Sequence, residues 1–166
     1  MFVLGVDPGV SRCGYAFVQQ RGAKARAVAL GVITTPVAEA LPVRLARLDA
    51  ELRALLAEFR PSAVAVERLF FQVNARTAMS VGQASGLVLA AAAQAGCEVA
   101  QYTPNEVKQA VAGYGGAGKN QVQRMVQALL GLAEPPRPAD AADAAALALC
   151  HLAAAPLRAR LGAVAP

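Results

Sequence analysis

Residues 62–67 read SAVAVE, a short apolar run that ends on a single acid, Glu67. A run of this length after a proline predicts a buried β-strand. The segment follows a strongly periodic helix pattern. Its place in the order therefore predicts parallel pairing with the first strand, Phe2 to Asp7, through a right-handed crossover. This pairing makes the chain an α/β protein.

Hydrophobic periodicity and turn residues predict the other elements. Leu45, Leu48 and Leu52 recur at helical spacing and predict a helix over Leu41 to Phe59, which Pro61 ends. The turn sequence at residues 21–24 separates two strands of an antiparallel meander. These strands are Gly14 to Gln19 and Val28 to Thr34. Two elements follow α-helical and apolar patterns in the middle of the chain: a helix over Asn74 to Ala95 and a strand over Glu98 to Tyr102. The remaining elements are a helix capped by Thr103 and begun by Pro104, a loop over Gly113 to Gly118, and helices over Lys119 to Leu130 and Asp140 to Ala155.

Composition describes a folded protein with a modest positive charge. The 166 residues are 56% hydrophobic and 16% charged, with a net charge of +5, which is compatible with a nucleic-acid partner without indicating one. No signal peptide or membrane span is visible, so we expect a cytoplasmic protein. Cys13, Cys97 and Cys150 lack CxxC spacing, which favours reduced, buried thiols over a zinc site or disulfide.

Four of the eleven acids in the chain fall where a site can form. Asp7 and Glu67 end two strands predicted to be neighbours, so both carboxylates emerge at one edge of the sheet. Asp140 and Asp143 lie three residues apart near the start of the last helix and share one face. Crowded carboxylates need cations between them, and ligands that are all oxygen favour Mg²⁺ or Mn²⁺ over zinc. Two such ions support phosphodiester cleavage.

Each acid also has a simpler explanation. Asp7 could belong only to a turn with Pro8 and Gly9, and Glu67 could only be a strand end that enters solvent. Asp140 could be an N-cap, and Asp143 could stabilise the helix N-terminus electrostatically. The joint pattern favours a site, because a carboxylate directly after an apolar strand occurs twice and the Asp pair follows.

Four segments carry a resemblance to a known family: GVDPGVSRCGYA (residues 5–16), AVAVERLFFQVN (63–74), VKQAVAGYGGAGKNQVQRMV (107–126) and ADAADAAALALCH (139–151). In order and spacing they resemble the RuvC family of Holliday junction resolvases, from Phe2 to about Leu152. The resemblance implies one ribonuclease H-like nuclease domain over residues 1–166. Its fold class is α/β, a five-stranded mixed sheet flanked by helices on both faces. We expect the last ten or so residues to be a loose tail.

The resemblance also implies a function. Proteins of this family act as homodimers that cut two strands of like polarity across a four-way DNA junction during recombination and repair, leaving 5′-phosphate ends. They work beside a branch-migration motor of the RuvA and RuvB type. The expected cofactor is Mg²⁺, two ions per site, with Mn²⁺ able to substitute. The family's four metal-binding acids correspond to Asp7, Glu67, Asp140 and Asp143.

Further residues gain roles only through the resemblance. Phe70 corresponds to the aromatic residue that stacks on a base at the junction centre, although Phe71 beside it is an alternative. Lys108 and Lys119 are expected near the scissile phosphate, with Lys119 also catalytic, whereas exposed lysines are otherwise simply solubilising. Arg76 is expected to contact the DNA backbone. The small residues Gly82 and Gly86 suggest a subunit interface, or equally a helix contact inside the domain.

Three other functions compete with this one, and the sequence argues against the first two. An early strand ending in Asp-x-Gly also begins the actin-like kinases and ATPases, but these need two large lobes. An inert DNA-binding scaffold of the same fold would not need four intact acids. A ribonuclease H-like enzyme acting on RNA is the closest rival, because the carboxylates alone cannot distinguish it from a junction nuclease.

Overall fold

A computed structural model describes residues 1–68 and 75–162, and at 75–78 and 156–162 it describes the backbone alone. Its five strands form one sheet in the order β3-β2-β1-β4-β5. β2 pairs antiparallel with both β1 and β3, whereas β1–β4 and β4–β5 are parallel. The predicted mixed sheet is confirmed. The strands are β1 (Phe2–Asp7), β2 (Arg12–Arg21), β3 (Lys24–Thr34), β4 (Ala63–Glu67) and β5 (Glu98–Tyr102).

Helices cover both faces of the sheet, as predicted. The first two, α1 and α2, pack on one face, where Leu48, Leu52 and Leu56 of α1 are buried. The other three helices pack on the opposite face around α5. The helices are α1 (Leu41–Phe59), α2 (Ala75–Gln94), α3 (Pro104–Ala112), α4 (Lys119–Leu130) and α5 (Ala139–Gly162).

The two faces of the sheet differ in side-chain size. On β4, Val64 and Val66 face α1 and α2, whereas Ala63 and Ala65 face α5. Alternation of this kind follows from the two-residue period of a strand. The small side chains allow the alanine-rich α5 to lie close against β1 and β2.

Two glycines make this close approach possible. A Cβ on Gly5 would lie 1.9 Å from the carbonyl oxygen of Ala144, and one on Gly14 would lie 2.1 Å from that of Asp140. Both distances are far shorter than real contacts, so these positions accept only glycine while α5 stays in place. The glycines thereby allow the start of α5 to lie beside the C-terminal end of β1 and the N-terminal end of β2.

Three elements have boundaries that differ from the predictions by more than one residue. Both β2 and β3 are longer than predicted, because their antiparallel pairing continues through polar residues as far as Arg21 and Lys24. Helix α5 does not end at Ala155 but continues to Gly162, so the predicted loose tail is helical up to that residue. The α1, α4 and β5 boundaries match their predictions.

Other sequence expectations concern single residues. Thr103 and Glu106 form a capping box at the start of α3, as the Thr-Pro sequence predicts. All three cysteines are free thiols, with Cys13 and Cys150 buried and Cys97 only partly so. No helix in the described ranges has both the length and the apolar character needed to cross a bilayer.

Candidate active site

The C-terminal ends of β1 and β4 place two acids together. Val6 pairs with Val66 in the parallel ladder, so Asp7 and Glu67 are the next residues on two adjacent strands. On its other side Asp7 pairs with Gly14 of β2. Asp7 and Glu67 are both partly buried, each at the end of a strand that is otherwise buried.

The first turns of α5 supply the other two acids, each in an ion pair. Asp140 Oδ2 accepts hydrogen bonds from Arg12 Nη2 at 2.8 Å and Nε at 3.1 Å. Asp143 Oδ2 accepts one from Lys119 Nζ at 2.8 Å. Asp140 lies inside the first turn of α5, which begins at Ala139, so the N-cap alternative is wrong.

A cleft of about 380 Å³ opens at this edge of the sheet. Three of the four acids, Asp7, Glu67 and Asp143, line it together with Lys108 and Lys119. Asp140 does not line the cleft, and its carboxylate is bound to Arg12 instead. The apolar wall of the cleft consists of Pro104, Val107, Val122, Ala146 and Leu147.

Burial and like charge make this cluster unfavourable when ionised. Burial, followed by the charges of Glu67, Asp143 and Asp140, raises the pKa of Asp7 from 3.8 to about 7. The pKa of Glu67 is also raised, chiefly by burial and then by Asp143. Both effects disfavour the charged form. A cation bound between these carboxylates would therefore stabilise their ionised forms.

The two ion pairs shift pKa values so that the charged forms of Asp140 and Lys119 are favoured. The hydrogen bond from Arg12 lowers the pKa of Asp140. The hydrogen bond to Asp143 raises the pKa of Lys119, which keeps this lysine a cation. Arg12 and Lys119 thus supply part of the positive charge that the acids require.

The donor set suits a hard divalent cation, because the acids contribute only oxygen. The nearby thiol of Cys13 has its pKa raised by burial to about 12, so it stays protonated and is a poor zinc ligand. In residues 1–68 and 75–162, no three acid, histidine or cysteine side chains converge tightly enough to form a complete ligand set. Asp140 and Asp143 are instead turned toward Arg12 and Lys119.

The structure brings most of the predicted site residues to one place. Lys108 and Lys119 line the same cleft as Asp7, Glu67 and Asp143. Phe70 and its alternative Phe71 lie outside the described residues, and so does the side chain of Arg76. The sole histidine, His151, is fully buried and its Nδ1 is 2.9 Å from Tyr102 Oη, which fits a structural role.

Arg12 is the residue that sequence reasoning missed. Its guanidinium lies 128 positions from Asp140 in the chain, so no local pattern links the two. One signal was available: a basic residue lies three positions after Gly9 of the Asp7-Pro8-Gly9 turn. A basic side chain at the same sheet edge as a predicted acid is a candidate partner for the acidic cluster.

The fold and this site together define a class: a ribonuclease H-like α/β protein with an acidic cluster at the ends of two central strands. Residues 3–151 match the family model described as crossover junction endodeoxyribonuclease RuvC. The chain belongs to this family, whose nucleases are metal-dependent.

Individual relatives agree with this assignment. A crossover junction endodeoxyribonuclease RuvC from Moorella thermoacetica is 54% identical over 160 residues, covering 96% of each chain. The structure of Thermus thermophilus RuvC has a TM-score of 0.87 at 44% identity, covering 95% of this chain and 97% of that one. T. thermophilus RuvC in complex with Holliday junction substrate has a TM-score of 0.86 at 42% identity, with coverages of 95% and 96%.

Proposed function

We propose that this protein resolves four-way DNA junctions by paired, metal-dependent cleavage of phosphodiester bonds in recombination and repair. The observation that carries the proposal is the shared cleft: Asp7, Glu67 and Asp143 line it with two lysines. Acids of this kind hold divalent cations, and lysines beside them bind phosphate oxygens. The T. thermophilus relative solved with a Holliday junction substrate supports this substrate class.

The proposed metal ligands are Asp7, Glu67, Asp140 and Asp143. The raised pKa of Asp7 supports this assignment, because buried and mutually repelling carboxylates are stabilised by a cation between them. Oxygen donors favour Mg²⁺, with Mn²⁺ as a substitute. Bound divalent ions, two in the proposal, supply activation of the attacking water and stabilisation of the leaving oxygen.

The two lysines have separate proposed tasks. Lys119 is held at the acids by Asp143 and stays charged, so it is suited to neutralise charge that develops on a phosphate oxygen. Lys108 lies in the same cleft and is suited to bind a phosphate of the backbone. Phe70 and Arg76 complete the proposed DNA contacts on the family resemblance alone.

The proposed assembly is a homodimer with two such sites. Gly82 and Gly86 of α2 support a subunit interface there, because a Cβ on either would meet no described atom within 4 Å. Close approach of a second copy would use that space. A branch-migration motor of the RuvA and RuvB type remains a prediction from the family resemblance.

Two rival functions differ in what they require. An actin-like kinase needs two lobes, whereas this chain covers 97% of the T. thermophilus RuvC chain with one sheet. A ribonuclease acting on RNA–DNA hybrid would use the same acids, so only substrate choice separates it from a junction nuclease.

The deciding experiment offers three labelled substrates to the purified protein with Mg²⁺: a four-way junction, a linear duplex and an RNA–DNA hybrid. We expect paired nicks at symmetrical positions in the junction alone. Cleavage of the hybrid in preference to the junction would support the ribonuclease function and reject this proposal.

The dimer has its own test in analytical ultracentrifugation at micromolar concentration. A species of twice the 17.0 kDa chain mass is expected, with or without junction DNA. A single monomeric species under both conditions would contradict the proposed assembly.

A further inference from the structure

Arg12 reaches Asp140 from the start of β2, just after a tight turn of the backbone. The turn between β1 and β2 is tight, since a Cβ on Gly9 would lie 2.3 Å from the carbonyl oxygen of Arg12. Arg12 then begins β2, and its Nη2 and Nε both donate to one oxygen, Oδ2 of Asp140. Two donors on a single carboxylate oxygen leave that oxygen poorly available to any other cation.

Asp140 is also set apart from the other acids. Asp7, Glu67 and Asp143 line the cleft, but Asp140 does not. A carboxylate that is drawn toward a guanidinium accounts for this position.

We propose that Arg12 is a positioning residue that holds Asp140 outside the cleft and competes with the divalent cation for it. Asp140 joins the metal site only when it leaves Arg12. The inference rests on the metal site of the proposed function and adds a residue that opposes metal loading. The Arg12–Asp140 interaction must be broken before Asp140 can bind metal. The free energy of this interaction therefore reduces the binding free energy of the ion.

General coordination chemistry also describes the opposite role for an arginine beside a metal ligand. A residue that binds one carboxylate oxygen can orient the other toward a metal, and its loss then weakens metal binding. The two roles predict opposite changes in affinity when the guanidinium is removed. The sign of the change therefore decides between them.

The experiment is a titration of the whole protein with Mn²⁺ alone, followed by electron paramagnetic resonance of the free ion. Arg12→Gln is expected to lower the Kd for Mn²⁺ roughly two- to five-fold, the range that a partly exposed ion pair supports. Arg12→Lys, which keeps a cation at the position, is expected to restore most of the wild-type Kd. Circular dichroism checks that each variant is folded, and Arg12→Ala, with the same expected direction, replaces Arg12→Gln if that variant is not.

Arg53→Gln is a closely matched control. The Arg53–Asp49 pair has a distance of 2.7 Å and side-chain exposures of 47% and 27%, against 2.8 Å, 48% and 28% for Arg12–Asp140. It lies on α1, away from the acids, so its loss should leave the Kd for Mn²⁺ unchanged. Lys108→Gln controls for net charge, because Lys108 lines the cleft and forms no ion pair among the described residues.

Each outcome bears on a specific claim. A lower Kd in Arg12→Gln, larger in its change than that in Lys108→Gln, supports the competition. An unchanged or higher Kd, or an equal decrease in Lys108→Gln, overturns it while leaving the metal site intact. Absence of Mn²⁺ binding by the wild-type protein overturns the metal site of the proposed function, and this inference with it.

Discussion

Asp7 and Glu67 end two adjacent parallel strands, and the pairing of Val6 with Val66 puts the two acids next to each other at the edge of the sheet. Neither carboxylate has a basic partner of its own in the described ion pairs, whereas Asp140 and Asp143 are paired with Arg12 and Lys119. This unequal distribution of charge governs how the site should respond to substitution and to pH.

Asp7→Asn is expected to abolish cleavage while leaving junction binding nearly intact. The substitution removes a proposed metal ligand and no proposed DNA contact. The cleavage rate should fall roughly 10³-fold, because bound metal contributes several kcal/mol to the transition state. Single-turnover cleavage and fluorescence anisotropy measure the two effects separately. Cleavage with Mg²⁺ at the wild-type rate would reject Asp7 as a ligand.

The stability of the protein without divalent ions should depend on pH through Asp7. Its pKa rises from 3.8 to about 7 on folding, so the folded protein binds this proton more tightly than the unfolded chain. The free energy of unfolding therefore decreases as pH rises from about 4 to about 7, and the cost is fully present above that range. Asp7→Asn removes this cost.

The measurement compares urea unfolding of wild-type and Asp7→Asn protein in EDTA across this pH range. The advantage of the variant should grow with pH and reach on the order of 2–4 kcal/mol. An advantage that stays constant across the range would show that Asp7 is not the titrating group.

Phe70→Ala is expected to slow junction cleavage more than it weakens binding. If Phe70 stacks on a base after docking, its loss removes about 1–3 kcal/mol, or roughly 5- to 160-fold in rate. Phe71→Ala is the matched control and should have the smaller effect. The reverse order would assign the stacking role to Phe71, and equal wild-type rates would remove both from the mechanism.

Lys108→Gln should weaken junction binding and reduce its dependence on salt. A lysine that binds one phosphate releases about one counterion, so the slope of log affinity against log salt should fall by about 1. Anisotropy titrations over a series of KCl concentrations give this slope. A weaker affinity with an unchanged slope would mean that Lys108 acts without contacting phosphate.

Gly5→Ala should destabilise the fold and disturb the site together. The added Cβ would lie 1.9 Å from the Ala144 carbonyl oxygen, so α5 must move away from β1. Overpacking of this kind costs about 1–3 kcal/mol or more. Gly115→Ala is the control, since a Cβ added there would be 3.8 Å from its nearest neighbouring atom. Chemical denaturation should separate the two variants, and equal stabilities would contradict the close packing of α5.

Local patterns predicted the parts of the fold that depend on neighbouring residues. The leucine spacing and Pro61 set both ends of α1, and Thr103-Pro104 set the start of α3. The apolar runs that end in Asp7 and Glu67 predicted two strand ends at one sheet edge, because the crossover rules leave few other arrangements. Boundaries were less predictable where pairing extends through polar residues, as in β2 and β3.

Residue order alone was enough to predict the α/β architecture and the family, and to single out four acids as candidate ligands. The position of Asp140, against Arg12 and outside the cleft, emerges only on folding, because the two residues are 128 positions apart. The physical reason is that this contact depends on how closely α5 approaches the sheet. That approach is allowed by the missing side chains of Gly5 and Gly14, whose effect is expressed only when distant segments pack together.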